Sequence, residues 1–322
     1  MRAAVPDHGV VSPVEIPRPA PGPGQVLVEV RAAGMNRADL LHAKGRYGQR
    51  AFAGTTGPDV AGMELAGRVV AVGDGVDDQI LGTRVMAMTA RAYAEYAVVD
   101  ERLLMAVPEE LSWTDAAALP MALLTEYEAQ VALARSVAGE RVLVIGATSG
   151  VGLIGVQLAR TIGPASLVAT SRNTDVDALL QSLGAGTVAH TPDEVANAST
   201  EGYDVVIDHV GGDWLGTALA HLRNGARVVS VGRLGERTVQ VDLTALAGKR
   251  ASLIGTTWKT QELAQIADSV AGVREHVLPA VADGRIRPVV SGTLEFGDIA
   301  GGYQRLADGH SPGKLVVVVS RD

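Results

Sequence analysis

The sequence predicts an α/β fold class with two parts, a doubly wound parallel sheet domain and a mainly β domain. From residue 142 to residue 231, short apolar runs alternate with segments of helical spacing, which is typical of a parallel sheet with crossover helices. Before residue 100, apolar runs alternate with proline and glycine instead, which indicates strands joined by turns. A chain of 322 residues is also too long for one ordinary domain. We therefore expect a mainly β domain from residues 1–118 and 259–322 and a doubly wound domain from residues 119–258.

The composition argues against several classes of function. The net charge of -8 and the aromatic content of 3% disfavour binding of nucleic acid or of an anionic membrane. The absence of cysteine excludes disulfides, thiolate catalysis and cysteine-ligated zinc. The first ten residues lack the apolar segment of a signal peptide, and no apolar run approaches the ~18 residues of a membrane span. We expect a soluble, cytoplasmic protein with no nucleic-acid or membrane partner.

In the first part of the chain, strands are predicted at residues 10–16, 26–30, 60–72, 84–88 and 93–99, with a short helix at residues 37–43. Ser112 has the character of a helix N-cap, and Pro120 interrupts the helical pattern that continues to Arg135. Strands then follow at residues 142–145, 166–170, 187–189, 205–207 and 227–231, and helices at residues 151–161, 176–183 and 214–222.

The last part of the chain lacks this alternation. It predicts a long helix over residues 262–282, with Gly272 as the candidate break, a strand at residues 289–290, a helix at residues 299–307 and a strand at residues 315–319. Because these strands do not follow crossover helices in the same rhythm, we expect them to rejoin the first domain.

One glycine-rich turn points to the ligand. Gly150, Gly152 and Gly155 spell G-x-G-x-x-G after an apolar strand and at the start of an apolar helix. Glycines there let backbone N–H groups and the positive helix end approach a phosphate. A plain tight turn is the alternative, because the motif alone is weak and glycine is frequent, with 38 in the chain. The strand and helix around the motif favour dinucleotide binding.

Several short stretches of the chain together resemble one family. They are 34–39 with 45–47 (GMNRAD, GRY), 62–64 with 66–67 (GME, AG), 116–120 with 124–125 (AAALP, LT), 150–152 with 157–159 (GVG, QLA), and 313–316 (GKLV). Their order and spacing resemble the medium-chain dehydrogenase/reductase superfamily over the whole chain, and within it the zinc-free quinone oxidoreductase (zeta-crystallin-like) family. The resemblance implies a Rossmann domain for NADPH and a GroES-like catalytic domain.

Residue types argue against a catalytic zinc. Asn36 and Met63 stand where the zinc-dependent relatives have a cysteine and a histidine. An amide and a thioether do not replace a thiolate and an imidazole as zinc ligands. The seven histidines are scattered, without an HxH or HExxH grouping. We expect no metal in the protein.

A second resemblance fails. The stretch 146–152 (GATSGVG) also fits the turn of short-chain dehydrogenases, which open their chain with it and use a YxxxK pair. Here the turn lies in mid-chain, and none of the six tyrosines has a lysine four residues later.

The family resemblance implies hydride transfer from NADPH to a small quinone or to an α,β-unsaturated carbonyl (enone) acceptor. It places Asn36, Asp39 and Tyr47 beside the nicotinamide as candidate catalytic residues, with Asn36 or Tyr47 donating to the substrate oxygen. The alternative is that Asn36 and Asp39 form a helix-capping pair and that Tyr47 anchors a loop. Leu41 replaces a tyrosine frequent in the family, which leaves the substrate and the source of the proton open.

Further cofactor contacts are expected at strand ends, where open α/β sheets bind ligands. The candidate cofactor-binding residues are Thr125, Thr148, Ser149, Gly150, Val151, Gly152, Ser171, Arg172, His209, Val210, Val231, Gly232, Arg233 and Lys259. Lys259 is equally well explained as a surface lysine. Ser149 departs from the usual glycine of the turn, although Gly150 and Gly152 keep the phosphate-binding pattern.

Ser171 and Arg172 bear on the choice of nucleotide. They follow the second strand of the doubly wound sheet, where an NADH-selective protein usually has a carboxylate for the ribose 2′-OH. Here the next carboxylate is Asp175. A serine hydroxyl and a guanidinium both suit a 2′-phosphate, so we expect NADPH. A solvated loop arginine is the alternative.

Two other functions stay open at this stage. An enoyl-thioester reductase of polyketide or fatty-acid type would need a basic entrance, for which Arg46, Arg50 and Arg91 are candidates. A non-catalytic, crystallin-like NADPH-binding protein is the other. The family also implies a homodimer, for which we predict residues 238–243 as the pairing edge strand.

Overall fold

The computed structural model describes residues 1–48, 52, 58–233, 235–309 and 312–320. The chain forms two compact units. Unit 1 comprises Met1–Met121, Trp258–Ala282 and Arg287–Asp322, and unit 2 comprises Ala122–Thr257 and Asp283–Ile286. The predicted α/β class, with a doubly wound parallel sheet and a second, mainly β part, is confirmed.

The strands are β1 (Arg2–Asp7), β2 (Val10–Glu15), β3 (Gln25–Gly34), β4 (Glu64–Val72), β5 (Arg84–Met88), β6 (Tyr96–Asp100), β7 (Met105–Ala106), β8 (Arg141–Ile145), β9 (Ser166–Thr170), β10 (Thr187–Ala189), β11 (Tyr203–Asp208), β12 (Leu222–Ser230), β13 (Ser252–Gly255), β14 (Val290–Glu295) and β15 (Lys314–Val318).

The α-helices are α1 (Arg37–His42), α2 (Trp113–Ala117), α3 (Pro120–Glu126), α4 (Gly150–Ile162), α5 (Asp177–Leu183), α6 (Pro192–Ala198), α7 (Gly212–Ala220), α8 (Leu243–Gly248), α9 (Leu263–His276), α10 (Leu278–Ala282) and α11 (Ile299–Asp308). A π-helix, Tyr127–Leu133, directly continues α3.

Strand β3 is the centre of unit 1. It pairs antiparallel with β4, β6 and β15, and the sheet runs in the order β14-β15-β3-β4-β5-β7. Strands β3 and β4 approach so closely that a Cβ added to Gly67 would lie 2.2 Å from the carbonyl oxygen of Glu29. The late strand β15 therefore completes the sheet of the first domain, as the last part of the sequence predicts.

In the described part of unit 2, six parallel strands form the sheet β10-β9-β8-β11-β12-β13. The inner strands β8, β9 and β11 are almost wholly buried and largely apolar, which is why the sequence predicts them closely, whereas the outer strand β13 is mostly exposed. The strand order reverses between β8 and β11, and open α/β sheets generally bind ligands at the carboxyl ends of the strands at such a point.

Two predicted elements are wrong. Residues 238–242 form no strand, because the Asp242 carboxylate caps α8 by accepting from Thr244 and Ala245 N–H at 2.8 and 3.0 Å. The outer strands of this sheet are β10 and β13. The homodimer stays a prediction, but residues 238–243 are not an edge strand through which it could form. The long carboxyl-terminal helix breaks after His276 and not at Gly272, because Pro279 has no N–H to donate and crowds the preceding turn.

A buried ion pair ties the last strand of unit 1 to β4. The Lys314 ammonium contacts Glu64 Oε1 and the Asn36 side-chain oxygen, and Glu64 is fully buried. The second carboxylate oxygen of Glu64 accepts from the Met121 N–H at 2.8 Å, and the Asn36 amide donates to Oε1 at 2.8 Å. A carboxylate in such a place is stable only while its cation and its donors are present.

We predict that Lys314→Met lowers the free energy of unfolding by roughly 3–5 kcal/mol, because Glu64 is left buried without its cation. The double variant Glu64→Gln/Lys314→Met recovers most of this loss, since the amide oxygen still accepts from Asn36 or Met121 and no charge remains. Urea denaturation of the wild type and both variants measures the difference. Equal stability of the single and double variants would contradict the role of the buried charge.

Candidate functional site

The glycine turn after β8 has the close backbone approach that phosphate binding requires. Gly146 has a positive φ of 80°, and a Cβ there would lie 2.7 Å from Val210 Cγ2. A Cβ on Gly152 would lie 2.5 Å from the Gly146 carbonyl oxygen. Side chains larger than hydrogen are thus excluded at both positions, and the turn fits a dinucleotide phosphate.

Ser149 replaces the usual glycine and caps α4. Its hydroxyl accepts from the Gly152 N–H at 2.9 Å and donates to the Gly146 carbonyl at 3.1 Å. The helix then begins at Gly150, where the first N–H groups have no partner within the helix. The serine therefore fixes the turn while Gly150 and Val151, both partly exposed, remain at the positive helix end. Thr148 is half-buried in the same turn.

The end of β9 closes the other side of this turn. The Thr170 hydroxyl accepts from the Gly146 N–H at 2.9 Å. The Ser171 hydroxyl, predicted to bind a 2′-phosphate, is used within its own turn, where it donates to the Asn173 carbonyl at 2.9 Å and accepts from the Asn173 N–H at 3.0 Å. Ser171 is also buried, whereas Arg172 is exposed. Of the two residues predicted to bind the 2′-phosphate, Arg172 is therefore the one whose side chain reaches solvent.

His190 is a second basic group at this strand end, and it is not among the residues that the sequence predicts. Its Nδ1 lies 2.8 Å from the Ser171 carbonyl oxygen and its Nε2 lies 3.2 Å from Asp177 Oδ2. The hydrogen bond to Ser171 and the Asp177 carboxylate raise the pKa of His190. Its position follows from the parallel pairing of β10 with β9, which sequence spacing alone does not specify.

The loop after β11 is shaped by the buried Asp208. Its Oδ1 accepts from the N–H groups of Val210 and Gly211 at 2.9 and 2.8 Å. Its carbonyl oxygen accepts from Val231 at 2.8 Å and Gly232 at 3.1 Å. The loops after β11 and β12 are thereby joined, as expected for neighbouring ligand-binding loops.

Two further predicted cofactor residues lie in unit 2, and a third lies in unit 1. Arg233 is exposed next to this loop, and Thr125 is buried in α3. Lys259 is exposed in unit 1, where its ammonium donates to the Arg46 carbonyl at 3.2 Å and lies 4.8 Å from the centre of the Tyr47 ring. The side chain of Lys259 is thus engaged beside a predicted catalytic residue, which agrees with the surface-lysine alternative.

His209 has the least expected side-chain position. Its imidazole is buried, 4% exposed, and its Nε2 lies 2.8 Å from Oε1 of the fully buried Glu126. The backbone of His209 therefore lies at the end of β11, while its ring is buried in the interior of unit 2.

Asp39 in α1 is fully buried in unit 1. Its Oδ2 accepts from the Tyr93 hydroxyl at 2.6 Å and from the Asn36 N–H at 2.7 Å, and its Oδ1 has no hydrogen-bond partner among the described residues. Burial raises the pKa of Asp39 from 3.8 to about 7, although the hydrogen bond from Tyr93 opposes the shift. Asp39 therefore exchanges a proton near neutral pH.

Asn36 and Asp39 are brought together, as the capping-pair alternative predicts, because Asn36 is the N-cap of α1 and Asp39 accepts its N–H. The Asn36 amide is 8% exposed and lies between Glu64 and Lys314. A buried carboxylate and ammonium bind an amide more strongly than a neutral substrate oxygen would, so Asn36 is poorly placed to donate to substrate.

Tyr47 is the partly exposed member of the predicted catalytic set. Burial and the nearby Asp39 carboxylate raise the pKa of Tyr47 to about 12. The phenol is therefore protonated throughout the physiological pH range and is available as a hydrogen-bond donor.

Several polar groups of these sites were missed by the sequence analysis: Tyr93, Glu126, Gln130 and His190. Glu126, a charged residue two positions after the apolar stretch LPMALL, is the one available signal. Among the residues that the structure describes, no group of three or more metal-ligating side chains occurs, and no helix is long and apolar enough to cross a membrane. Arg50 lies outside the described residues.

We predict that Asp39→Asn changes the pH dependence of stability. The pKa of Asp39 is 3.8 in the unfolded chain and about 7 in the folded protein. Between pH 4 and pH 7 the folded protein therefore carries a proton on Asp39 that the unfolded chain has lost. The free energy of unfolding of the wild type therefore falls, relative to the variant, by as much as about 4 kcal/mol as the pH rises from 4 to 7.

Denaturation of both proteins at several pH values between 4 and 8 measures this difference. The amide of the variant still accepts from Tyr93 and Asn36, so the comparison isolates the charge. A difference that is constant over this range would show that Asp39 titrates normally.

Known proteins share this architecture. The alcohol dehydrogenase GroES-like domain model matches residues 22–109, and the zinc-binding dehydrogenase model matches residues 150–272. The quinone oxidoreductase from Thermus thermophilus, whose structure is also known in complex with NADPH, has 29% sequence identity and a TM-score of 0.84, covering 99% of this chain and 100% of that chain.

Two curated relatives span most of the chain. The spectinabilin polyketide synthase system protein NorB of Streptomyces orinoci is 34% identical over 304 residues, which are 92% of this chain and 13% of NorB. The chloroplastic NADPH-dependent alkenal/one oxidoreductase of Arabidopsis thaliana is 30% identical over 305 residues, which are 91% of this chain and 72% of that protein. Together with the fold, these similarities establish that the chain belongs to the zeta-crystallin-like quinone oxidoreductase family of the medium-chain dehydrogenase/reductase superfamily.

Proposed function

We propose that the chain is an NADPH-dependent oxidoreductase that transfers hydride to a quinone or an enone without a metal ion. The observation that carries this proposal is the position of Tyr47, a partly exposed phenol in unit 1 whose pKa is raised by burial and by the nearby Asp39 carboxylate. Such a donor stabilises negative charge that develops on a carbonyl oxygen. The similarity to the alkenal/one oxidoreductase and to the quinone oxidoreductase supports the same acceptor class.

Unit 2 supplies the cofactor-binding groups in this proposal. When bound, the reduced nicotinamide provides the hydride. The backbone of residues 148–152 would hold the phosphates at the start of α4, and Arg172 would hold the 2′-phosphate. The backbone of residues 209–210 and 231–233 would contact the nicotinamide-ribose half.

Unit 1 supplies the groups for the acceptor. Tyr47 would donate a hydrogen bond to the carbonyl oxygen of the acceptor. Asp39, with a pKa of about 7, would influence the pKa of the Tyr47 phenol through its charge. Asn36 would act through the position of α1, because its amide is engaged with Glu64 and Lys314.

An enoyl-thioester reductase is the second candidate, and the similarity to a polyketide synthase system protein favours it. A carrier phosphopantetheine or CoA would need a basic entrance. Of the candidate arginines that the structure describes, Arg46 is exposed and Arg91 is half-buried.

An acceptor panel tests the function. We expect the protein to oxidise NADPH with a small quinone or a simple enone, in the presence of a metal chelator, and to do so far more slowly with crotonyl-CoA. Faster turnover with crotonyl-CoA would favour the thioester reductase. Cofactor binding without turnover of any acceptor would favour the non-catalytic alternative, and loss of activity in chelator would contradict the metal-free mechanism.

We predict that Arg172→Ala raises the NADPH Michaelis constant about 10- to 150-fold and leaves that for NADH nearly unchanged, because each hydrogen bond to a charged group contributes roughly 1.5–3 kcal/mol. Values of kcat/KM for both nucleotides measure the effect. Arg160→Ala is the matched control, since Arg160 is also exposed but lies in the last turn of α4. A wild type that prefers NADH, or a variant that loses both nucleotides equally, would refute the assignment.

A further inference from the structure

A buried polar cluster in unit 2 lies behind the cofactor loops. Its members are Glu126 at the end of α3, Gln130 in the π-helix and His209 after β11. Glu126 and Gln130 are fully buried, and His209 is 4% exposed. The Gln130 amide donates to Glu126 Oε2 at 2.8 Å, and His209 Nε2 lies 2.8 Å from Glu126 Oε1, within ion-pair distance.

The cluster also fixes helix α4, which begins at the glycine turn. The Gln130 amide donates to the Gly155 carbonyl at 2.8 Å. A Cβ on Gly155 would lie 2.7 Å from all three atoms of the Glu126 carboxylate group, so glycine at this position makes room for the charge. The carboxylate is therefore enclosed by α4, by the π-helix and by His209.

His209 transmits this contact to the cofactor loops through its backbone. Its N–H donates to the Ile145 carbonyl at 3.1 Å, at the end of β8. A Cβ on Gly146 would lie 3.3 Å from His209 Cβ, and a Cβ on Gly232 would lie 2.4 Å from the His209 carbonyl oxygen. A shift of His209 would therefore disturb both the glycine turn after β8 and the loop after β12.

The state of the pair depends on one proton. A fully buried carboxylate needs a cation, and the imidazole provides one only when protonated. Burial by itself lowers the pKa of His209, but the Glu126 and Asp208 carboxylates together outweigh it, so the net shift of the pKa is upward. Besides Glu126, Asp208 also acts on His209 and favours the cation, while Arg233 acts on Asp208.

We propose that the buried Glu126–His209 ion pair, held by Gln130, positions the loop of residues 209–211 and makes nicotinamide cofactor affinity fall at alkaline pH. His209 is then a positioning residue of the cofactor site. The proposal rests on cofactor binding by this family and not on the identity of the acceptor. Because the folded pKa of His209 lies above its ordinary value, the pair is intact at lower pH and is lost as the pH rises through the raised value.

Direct binding of NADPH and of NADH, followed by nucleotide fluorescence between pH 7 and pH 9, tests the proposal. We expect both dissociation constants of the wild type to rise about 5- to 10-fold over this range, which is typical of coupled equilibria. A rise for NADPH alone would assign the effect to His190 or to the 2′-phosphate and overturn the proposal.

Glu126→Gln separates position from charge. Its amide oxygen still accepts from the Gln130 amide, and its amide N–H donates to the unprotonated Nε2 of neutral His209, so we expect the pH dependence to vanish and the affinity at pH 9 to equal or exceed that of the wild type. Glu126→Ala, which removes the contact, weakens binding at every pH. His221→Gln is the matched control, since His221 is a half-buried histidine that contacts the Thr217 carbonyl instead, and it keeps the wild-type profile.

The double variant Glu126→Ala/Gly155→Ala provides a second route if a single variant folds poorly. Its Cβ at position 155 occupies the space of the missing carboxylate, and we expect a stable protein with weak, pH-independent binding. A wild-type profile that is flat, or one that Glu126→Gln leaves unchanged, overturns the inference. If binding is normal but the acceptor panel fails, the proposed reaction is wrong and the inference stands; if neither nucleotide binds, both fail.

Discussion

The parallel order of the strands in unit 2 is the constraint on which the positions of the candidate cofactor-binding residues depend. Parallel strands bring their carboxyl ends to one edge, so the turns after β8, β9, β11 and β12 become neighbours although they are far apart in sequence. The contacts between these turns are made largely by backbone groups, such as the Asp208 carbonyl with Val231 and Gly232. The backbone conformation of these turns is therefore determined by glycine residues, by helix N-caps and by strand pairing.

Each unit also encloses a buried carboxylate with its own cation, and the two pairs differ in chemistry. Glu64 is paired with Lys314 in unit 1, and Glu126 with His209 in unit 2. A lysine partner keeps its charge over the physiological range, whereas a histidine partner can lose it. The first pair joins β4 to β15 within unit 1, and the second joins α3 to the loop after β11 through a histidine.

The sequence predicted the positions of candidate site residues better than the use of their side chains. Asn36 is the N-cap of α1, and Ser171 and His209 directly follow β9 and β11. Their polar side-chain atoms are nevertheless engaged with buried partners or with their own turn. Tyr47 and Arg172 keep exposed surface, because neither lies on the inner face of a strand or helix.

By itself, the sequence determined the fold class, the glycine turn and the lack of zinc-ligand chemistry at Asn36 and Met63, because these depend on local periodicity and on residue type. It also located β5, β9 and β10 to the residue, since each is a short apolar run with clear ends. The tertiary structure decided which polar groups neutralise one another. Asn36 meets Glu64 across 28 residues and Lys314 across 278, and such pairings arise from the packing of distant strands, which no local pattern encodes.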